Sequence, residues 1–137
     1  MSVRKEDRGE GKFETLTKAL KVAAYTIDIT DNKNVFKPEH NKTTERIVML
    51  ATDIYHRARV ANDIRVTSNE DLSERNRLQN QAIAECDHLL SEIQIAKRLF
   101  HLRMKRVEYW GGMVEELKGY LRKWRDSDAD RFRNRKR

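Results

Sequence analysis

Met104-Lys-Arg-Val107-Glu-Tyr-Trp110-Gly-Gly-Met-Val114-Glu-Glu-Leu117-Lys-Gly-Tyr-Leu121-Arg-Lys-Trp124-Arg125 is the stretch that decides the fold. Val107, Trp110, Val114, Leu117, Leu121 and Trp124 recur in strict steps of three and four, which lays one apolar stripe along a helix packed against other helices. Three upstream stretches carry the same period. The first reads Phe13, Leu16, Leu20, Ala23 and Ile27. The second reads Ile47, Leu50 with Ala51, Ile54, Ala58, Ala61 and Ile64, and the third Leu78, Ala82, Cys86, Leu89, Ile93, Ala96 and Phe100. These patterns predict helices over about residues 12–30, 43–66, 70–101 and 104–125.

The connections agree with that division. Asp31-Asn32-Lys33-Asn34 is a turn cluster, and Pro38 interrupts any helix before His40. Asn41 to Thr44 supplies N-cap candidates for the second helix, and Ser68 or Ser73 for the third. Only the few residues from His101 to Met104 separate the last two helices, so they should form an antiparallel hairpin. The expected fold is all-α, an antiparallel up-down-up-down four-helix bundle over residues 12–125. Residues 1–11 and 126–137, charged and without period, are expected to be a flexible N-terminal tail and a basic C-terminal tail.

Composition sets the outer limits. Charged residues make up 37% of the 137-residue chain, with only 5 Gly and 1 Pro, which argues against a β-rich fold, a fibre or a low-complexity linker. The length suits one domain. No apolar run is long enough to span a bilayer, and the N-terminus lacks the apolar segment of a signal peptide, so a cytoplasmic protein without a membrane role is expected. The single cysteine, Cys86, leaves no internal disulfide to form, and its place on an apolar stripe makes it a small core residue.

No catalytic constellation is present. Glu85 and His88, like Asp53 and His56, have the i, i+3 spacing of a di-metal site. At 100° per residue, however, His56 lies about 160° from Ile54 and His88 about 100° from Leu89, off the stripes that face the core. No histidine is placed to activate Cys86. Gly111-Gly112 is a lone pair, not part of a phosphate loop. No catalytic residue, metal, cofactor or small-molecule substrate is therefore expected.

Charge is the informative feature. The net charge is +7, and the last 35 residues, with twelve basic and six acidic side chains, hold +6 of it. Lys118, Arg122 and Arg125 share one stripe of the fourth helix. Arg103, Lys105 and Arg106 crowd its start, where cations oppose the helix macrodipole and an anionic partner would relieve them. Arg57 and Arg59, with Arg46, extend the surface from the second helix. Arg57, Arg59, Arg103, Lys105, Arg106, Lys118, Arg122 and Arg125 are the candidate nucleic-acid contacts, to RNA or DNA through backbone phosphates. No zinc finger, RNA-recognition signature or helix-turn-helix spacing accompanies them.

The stripes do not use all the apolar surface. Tyr109, Met113 and Tyr120 flank the fourth stripe, and Ile83, Leu90 and Ile95 the third. A monomer should not leave such flanks wet, which predicts self-association through these two helices. Two helical glycines cost about 1 kcal/mol each, and close approach of another helix would offset that. Tyr109, Trp110, Gly111, Gly112, Met113 and Tyr120 are the candidate oligomer interface.

Lys105-Arg-Val-Glu-Tyr-Trp-Gly-Gly-Met-Val-Glu-Glu-Leu-Lys-Gly-Tyr-Leu-Arg-Lys-Trp124 resembles the last helix of a small four-helix-bundle family. Its members are the proteins encoded in intervening sequences of bacterial 23S rRNA genes and the accessory variability determinant (Avd) of diversity-generating retroelements. Arg46-Ile-Val-Met-Leu-Ala-Thr-Asp-Ile-Tyr55, Ser73-Glu-Arg-Asn-Arg-Leu-Gln79 and Phe36-Lys-Pro38 are similar to the same family, so the resemblance spans about Lys12 to Arg125. It implies a bacterial or phage-encoded homopentameric ring with a basic surface. In the retroelement branch, such a ring binds a reverse transcriptase and its template RNA in mutagenic cDNA synthesis and has no catalytic activity of its own. The resemblance transfers no site residue. Two other readings stay open: an intervening-sequence protein with an RNA-binding or structural role, and a helical protein-interaction module that binds no nucleic acid.

Overall fold

The described residues form four α-helices and one 3-10 turn: α1 (Ser2–Thr30), the turn Pro38–His40, α2 (Asn41–Asp63), α3 (Asn69–Phe100) and α4 (Met104–Arg135). They come from a computed structural model that describes the backbone of residues 2–135 and the side chains of residues 12–132. No strand occurs among the described residues. α1 packs against α2 and α4, and α3 against the same two helices, while among the described residues the backbones of neither diagonal pair come close. This is the arrangement of four helices around one shared core. Side-chain pairs between neighbours join rising residue numbers on one helix to falling numbers on the next. Lys18 meets Glu116 and Thr26 meets Trp110, while Arg57 meets Glu85 and Arg46 meets Glu92.

The core is built largely from the stripes of α2, α3 and α4. Val107, Trp110, Val114, Leu117, Leu121 and Trp124 are all buried, as is every residue of the α3 stripe from Leu78 to Phe100. α1 departs from expectation. Phe13 is 70% exposed, Leu20 51% and Ile27 41%, whereas Thr15, Ala19, Val22, Thr26, Ile29 and Thr30 face the core. The hydroxyls of these threonines are what make this possible. Thr30 Oγ1 donates to the Thr26 carbonyl at 2.7 Å, and Thr26 Oγ1 accepts from Trp110 Nε1 at 3.0 Å, so neither is buried unpaired. The small side chains of this face let α4 approach with its largest side chain, while Phe13, Leu20 and Ile27 are turned outward.

The helix ends follow local chemistry. Ser68 caps α3 by accepting from the Asp71 N–H at 3.1 Å. α2 is capped otherwise than expected. Its N-cap is His40, delivered by the 3-10 turn with Pro38 at its start, and it makes no side-chain cap bond. α3 stops at His101, which takes the left-handed conformation (φ 55°, ψ 48°). Leu102 N then donates to the Lys97 carbonyl at 3.0 Å, and the Leu102 side chain is buried.

Both terminal segments, expected as tails, are helical over residues 2–11 and 126–135; residues 1, 136 and 137 lie outside the described ones. α1 starts at Ser2, through a stretch without proline and rich in Arg, Lys and Glu. α4 continues to Arg135 because Asp128, 1% exposed, is fastened inside. Arg75 Nη1 reaches both its carboxylate oxygens at 3.2 Å, Gln79 Nε2 donates to it at 2.9 Å and Arg131 Nη2 at 2.8 Å. The remaining Arg75 N–H groups donate to the Ala61 and Ile64 carbonyls at the end of α2. One guanidinium thus joins α2, α3 and α4. Asp128→Ala leaves this cation buried without its counter-charge and should lower the unfolding free energy by about 3–5 kcal/mol in urea titration. A loss below about 1 kcal/mol would show that the pair does not hold α4 down.

Candidate nucleic-acid interface

The expected phosphate-binding row of α4 is only partly free. Lys118, its side chain 15% exposed, pairs with Asp87 of α3 at 2.5 Å. Arg125 donates to Asn80 and Asp126, both at 3.0 Å. Arg122 alone of the three is exposed without a partner among the described residues. On α2, Arg57 donates to Glu85 at 2.6 Å and to Gln81 at 3.2 Å, and Arg46 to Glu92 at 2.7 Å. Burial raises the Glu85 carboxyl above the usual carboxylate range, against the pull of Arg57. Arg59 is exposed, bonded only to its neighbour Tyr55. The stripe geometry of α4 is therefore as expected, but Lys118 and Arg125 serve the α3–α4 seam.

The start of α4 is different. Arg103 and Lys105 are exposed and bonded to no described residue, and Arg106 donates only to the Tyr25 hydroxyl at 2.8 Å. Lys97 and Arg98, in the last turn of α3, come to the same place. Lys97 Nζ lies 3.8 Å from Met104 Sδ, and Arg98 is exposed. Residues 97–106 thus hold five cations and no carboxylate. Lys97 and Arg98 are additions to the expected set. The window of the last 35 residues begins at Arg103 and leaves them out.

The connection between α1 and α2 folds over this turn. Phe36 packs on Phe100 with ring centroids 4.9 Å apart and on Trp110 at 6.2 Å, and His40 meets Phe100 at 5.7 Å. Exposed Lys37 and Lys42 are thereby brought to the same end of the molecule. Exposed Glu39 and Glu45 lie close to Lys37 and Lys42 in the chain, and exposed Glu108 follows the α3–α4 turn two residues after Arg106.

The proposed oligomer interface is redistributed. Trp110 is fully buried, so it cannot meet another chain. Met113 packs against the core, and Tyr120 is half-buried with Lys18 and Lys123 over its ring. Of the α3 flank, Ile83 is buried and Leu90 half-buried, while Ile95 is exposed. Among the described residues no neighbouring helix crowds Gly111 or Gly112. A Cβ on Gly111 would meet Leu90 at an ordinary 3.8 Å and one on Gly112 nothing within 4 Å, and α4 runs through both unbroken. Tyr109, edge-on to Tyr25 at 5.2 Å, and Gly112 do reach the surface. The more extended apolar stripe is Phe13, Leu20 and Ile27 on α1, each seven residues from the next.

No family model matches the chain, and neither does any curated protein or solved structure. Among the described residues no group of three or more His, Cys, Asp or Glu could hold a metal ion, and no helix is long and apolar enough to cross a membrane. Burial, with the charges of Asp87 and Glu85 beside it, pushes the Cys86 thiol up to about 12. The thiolate is the reactive form, so Cys86 should resist a thiol-specific aromatic disulfide at pH 8 in the folded protein and react fully in denaturant. Rapid stoichiometric labelling of the native chain would contradict this.

Proposed function

We propose that the protein is a non-enzymatic, basic nucleic-acid-binding accessory protein that works as a homo-oligomer. Its helices run as an antiparallel up-down-up-down bundle, a course supported by the side-chain pairs between neighbouring helices. The observation that carries the reading is the α3–α4 turn: five cations and no carboxylate over residues 97–106, with Arg98, Arg103 and Lys105 exposed and unpaired among the described residues. Unpaired surface cations in one place gain most from a polyanion, because each phosphate contact releases condensed counterions. Partnership with a reverse transcriptase and its template RNA, and a pentameric ring, rest on the resemblance of residues 105–124 and are proposed on that basis. A role beside ribosomal RNA, as in an intervening-sequence protein, uses the same cations.

Self-association is better supported on α1 than on α3 and α4. Phe13, Leu20 and Ile27 repeat at the heptad interval of a helix-packing seam and are all exposed. The opposing reading, an interaction module without nucleic-acid binding, draws on the same stripe.

Two measurements test the proposal. Fluorescence anisotropy with a labelled RNA should show binding at 50 mM salt that weakens steeply by 200 mM. No binding at low salt would overturn it. In light scattering, the wild type should be several times the mass of one chain, and Leu20→Lys should shift it toward the monomer. A monomeric wild type would remove the oligomer from the account.

A further inference from the structure

Two rings of this end stand open to water: His101, in the α3–α4 turn itself, and Tyr109, 54% exposed on the second turn of α4. Tyr109 is the better placed of the two for a flat ligand. Lys105 and Arg106 precede it by four and three residues, so both are its neighbours on one face of the helix, with Cβ atoms about 5–6 Å away. Its ring is set edge-on to Tyr25 of α1, with centroids 5.2 Å apart. Arg106 is placed by the same tyrosine: it donates to the Tyr25 hydroxyl at 2.8 Å, and its guanidinium lies 5.9 Å from the centre of that ring. One turn beyond Tyr109, Gly112 is exposed, and a Cβ built there would meet nothing within 4 Å. The surface beside the ring is therefore open, and no packing among the described residues accounts for the glycine. Of the exposed carboxylates near in the chain, Glu108 lies about 100° round α4 from Tyr109, and Asp28 one turn beyond Tyr25 on α1.

Resting on the nucleic-acid reading above, we propose that Tyr109 is a stacking platform for an unpaired base, with Lys105 and Arg106 holding the phosphates beside it, so that this end takes single-stranded nucleic acid. Exposed rings set among cations suit such a strand, because the cations follow the backbone and every base has a face to stack. A duplex can meet the same cations but not the ring, since its bases are already stacked and paired. A second copy of the chain is the other occupant an exposed tyrosine could have. Laid over Tyr109, it would also cover Lys105 and Arg106, and taking two cations out of water without a counter-charge is costly. A polyanion brings the counter-charge with it. Stacking reads no base edge, so little regard for sequence is expected.

The test is fluorescence anisotropy on the full chain at about 50–200 mM salt, with an unstructured single-stranded RNA, a single-stranded DNA of the same length, and the duplex of each. Tyr109→Ala should weaken single-strand binding at least about 5-fold and duplex binding less than about 2-fold. The slope of log K against log salt should not change, because no phosphate contact is lost. Tyr109→Phe, which restores a ring, should recover most of the affinity. Gly112→Leu is the second variant: a helical side chain leans toward the preceding turn, so this one would cover the Tyr109 ring and should also weaken single strands several-fold. Lys105→Gln/Arg106→Gln should instead lower the slope on single strands by about 0.7 per contact removed. Far-ultraviolet circular dichroism checks that each variant is folded. Loss on the RNA strand alone, on the DNA strand alone or on both supports the platform and names its ligand. Loss below about 2-fold in Tyr109→Ala, or equal loss on strand and duplex, overturns this inference while leaving nucleic-acid binding in place. A fall in the light-scattering mass of Tyr109→Ala also overturns it, by giving the ring to a second copy. A wild type that binds none of the probes overturns both readings.

Discussion

Phe36, Phe100 and Trp110 form the contact on which the functional end of the molecule depends. Their rings bring together the α1–α2 connection, the last turn of α3 and the first turns of α4, and the Trp110 indole N–H adds α1 through Thr26. Truncating a buried aromatic of this size costs about 3–5 kcal/mol, so the cluster is a large fraction of what holds a domain of this size together. The consequence for function is indirect. The cations around the turn stand on a buried, packed base, so a phosphate backbone meets them on a backbone already folded and little ordering of it is required on binding. The left-handed His101 and buried Leu102 serve the same end, because they let α3 stop and α4 start within three residues.

The opposite end is fastened by charge. Arg75, Asp128, Gln79 and Arg131 form a buried network in which the guanidinium also closes the C-terminal end of α2. Lys12 sits beside it, its ammonium made less basic by burial and by the neighbouring Arg75 and Arg131. Charge here is used internally, as it is at Lys118 with Asp87 and at Arg57 with Glu85. The excess of basic residues in the last 35 positions is thus unevenly available. Its first turn faces outward, while further along the helix Lys118, Arg125 and Arg131 are tied to Asp87, Asn80, Asp126 and Asp128.

Most of the helical framework could be read from the amino-acid order. The stripes of α2, α3 and α4 are carried by large aliphatic and aromatic residues whose burial follows directly from their spacing. α1 could not be read that way. Its buried face is made of threonines, alanines, one valine and Ile29, and threonine counts as polar until its hydroxyl is seen bonded back to the helix or to a partner. The larger Phe13, Leu20 and Ile27 have the better period, and that period describes the surface. The extension of α4 past Arg125 was hidden for a similar reason, since Asp128 is a charged residue in a charged segment and only its partners on α3 explain its burial. Of the site, Arg103, Lys105 and Arg106 were legible as a crowd of cations at a helix start. Lys118 and Arg125 were not separable from them, because whether a cation is free depends on which carboxylate or amide the neighbouring helix presents.

Hydrogen–deuterium exchange of the full chain, with and without a saturating RNA duplex at low salt, tests the central claim most directly. The account predicts new protection at residues 97–106, with a weaker effect over 37–42 and none along the 112–126 face of α4. Protection centred on residues 112–126, or no change anywhere in a complex shown to form, would contradict it.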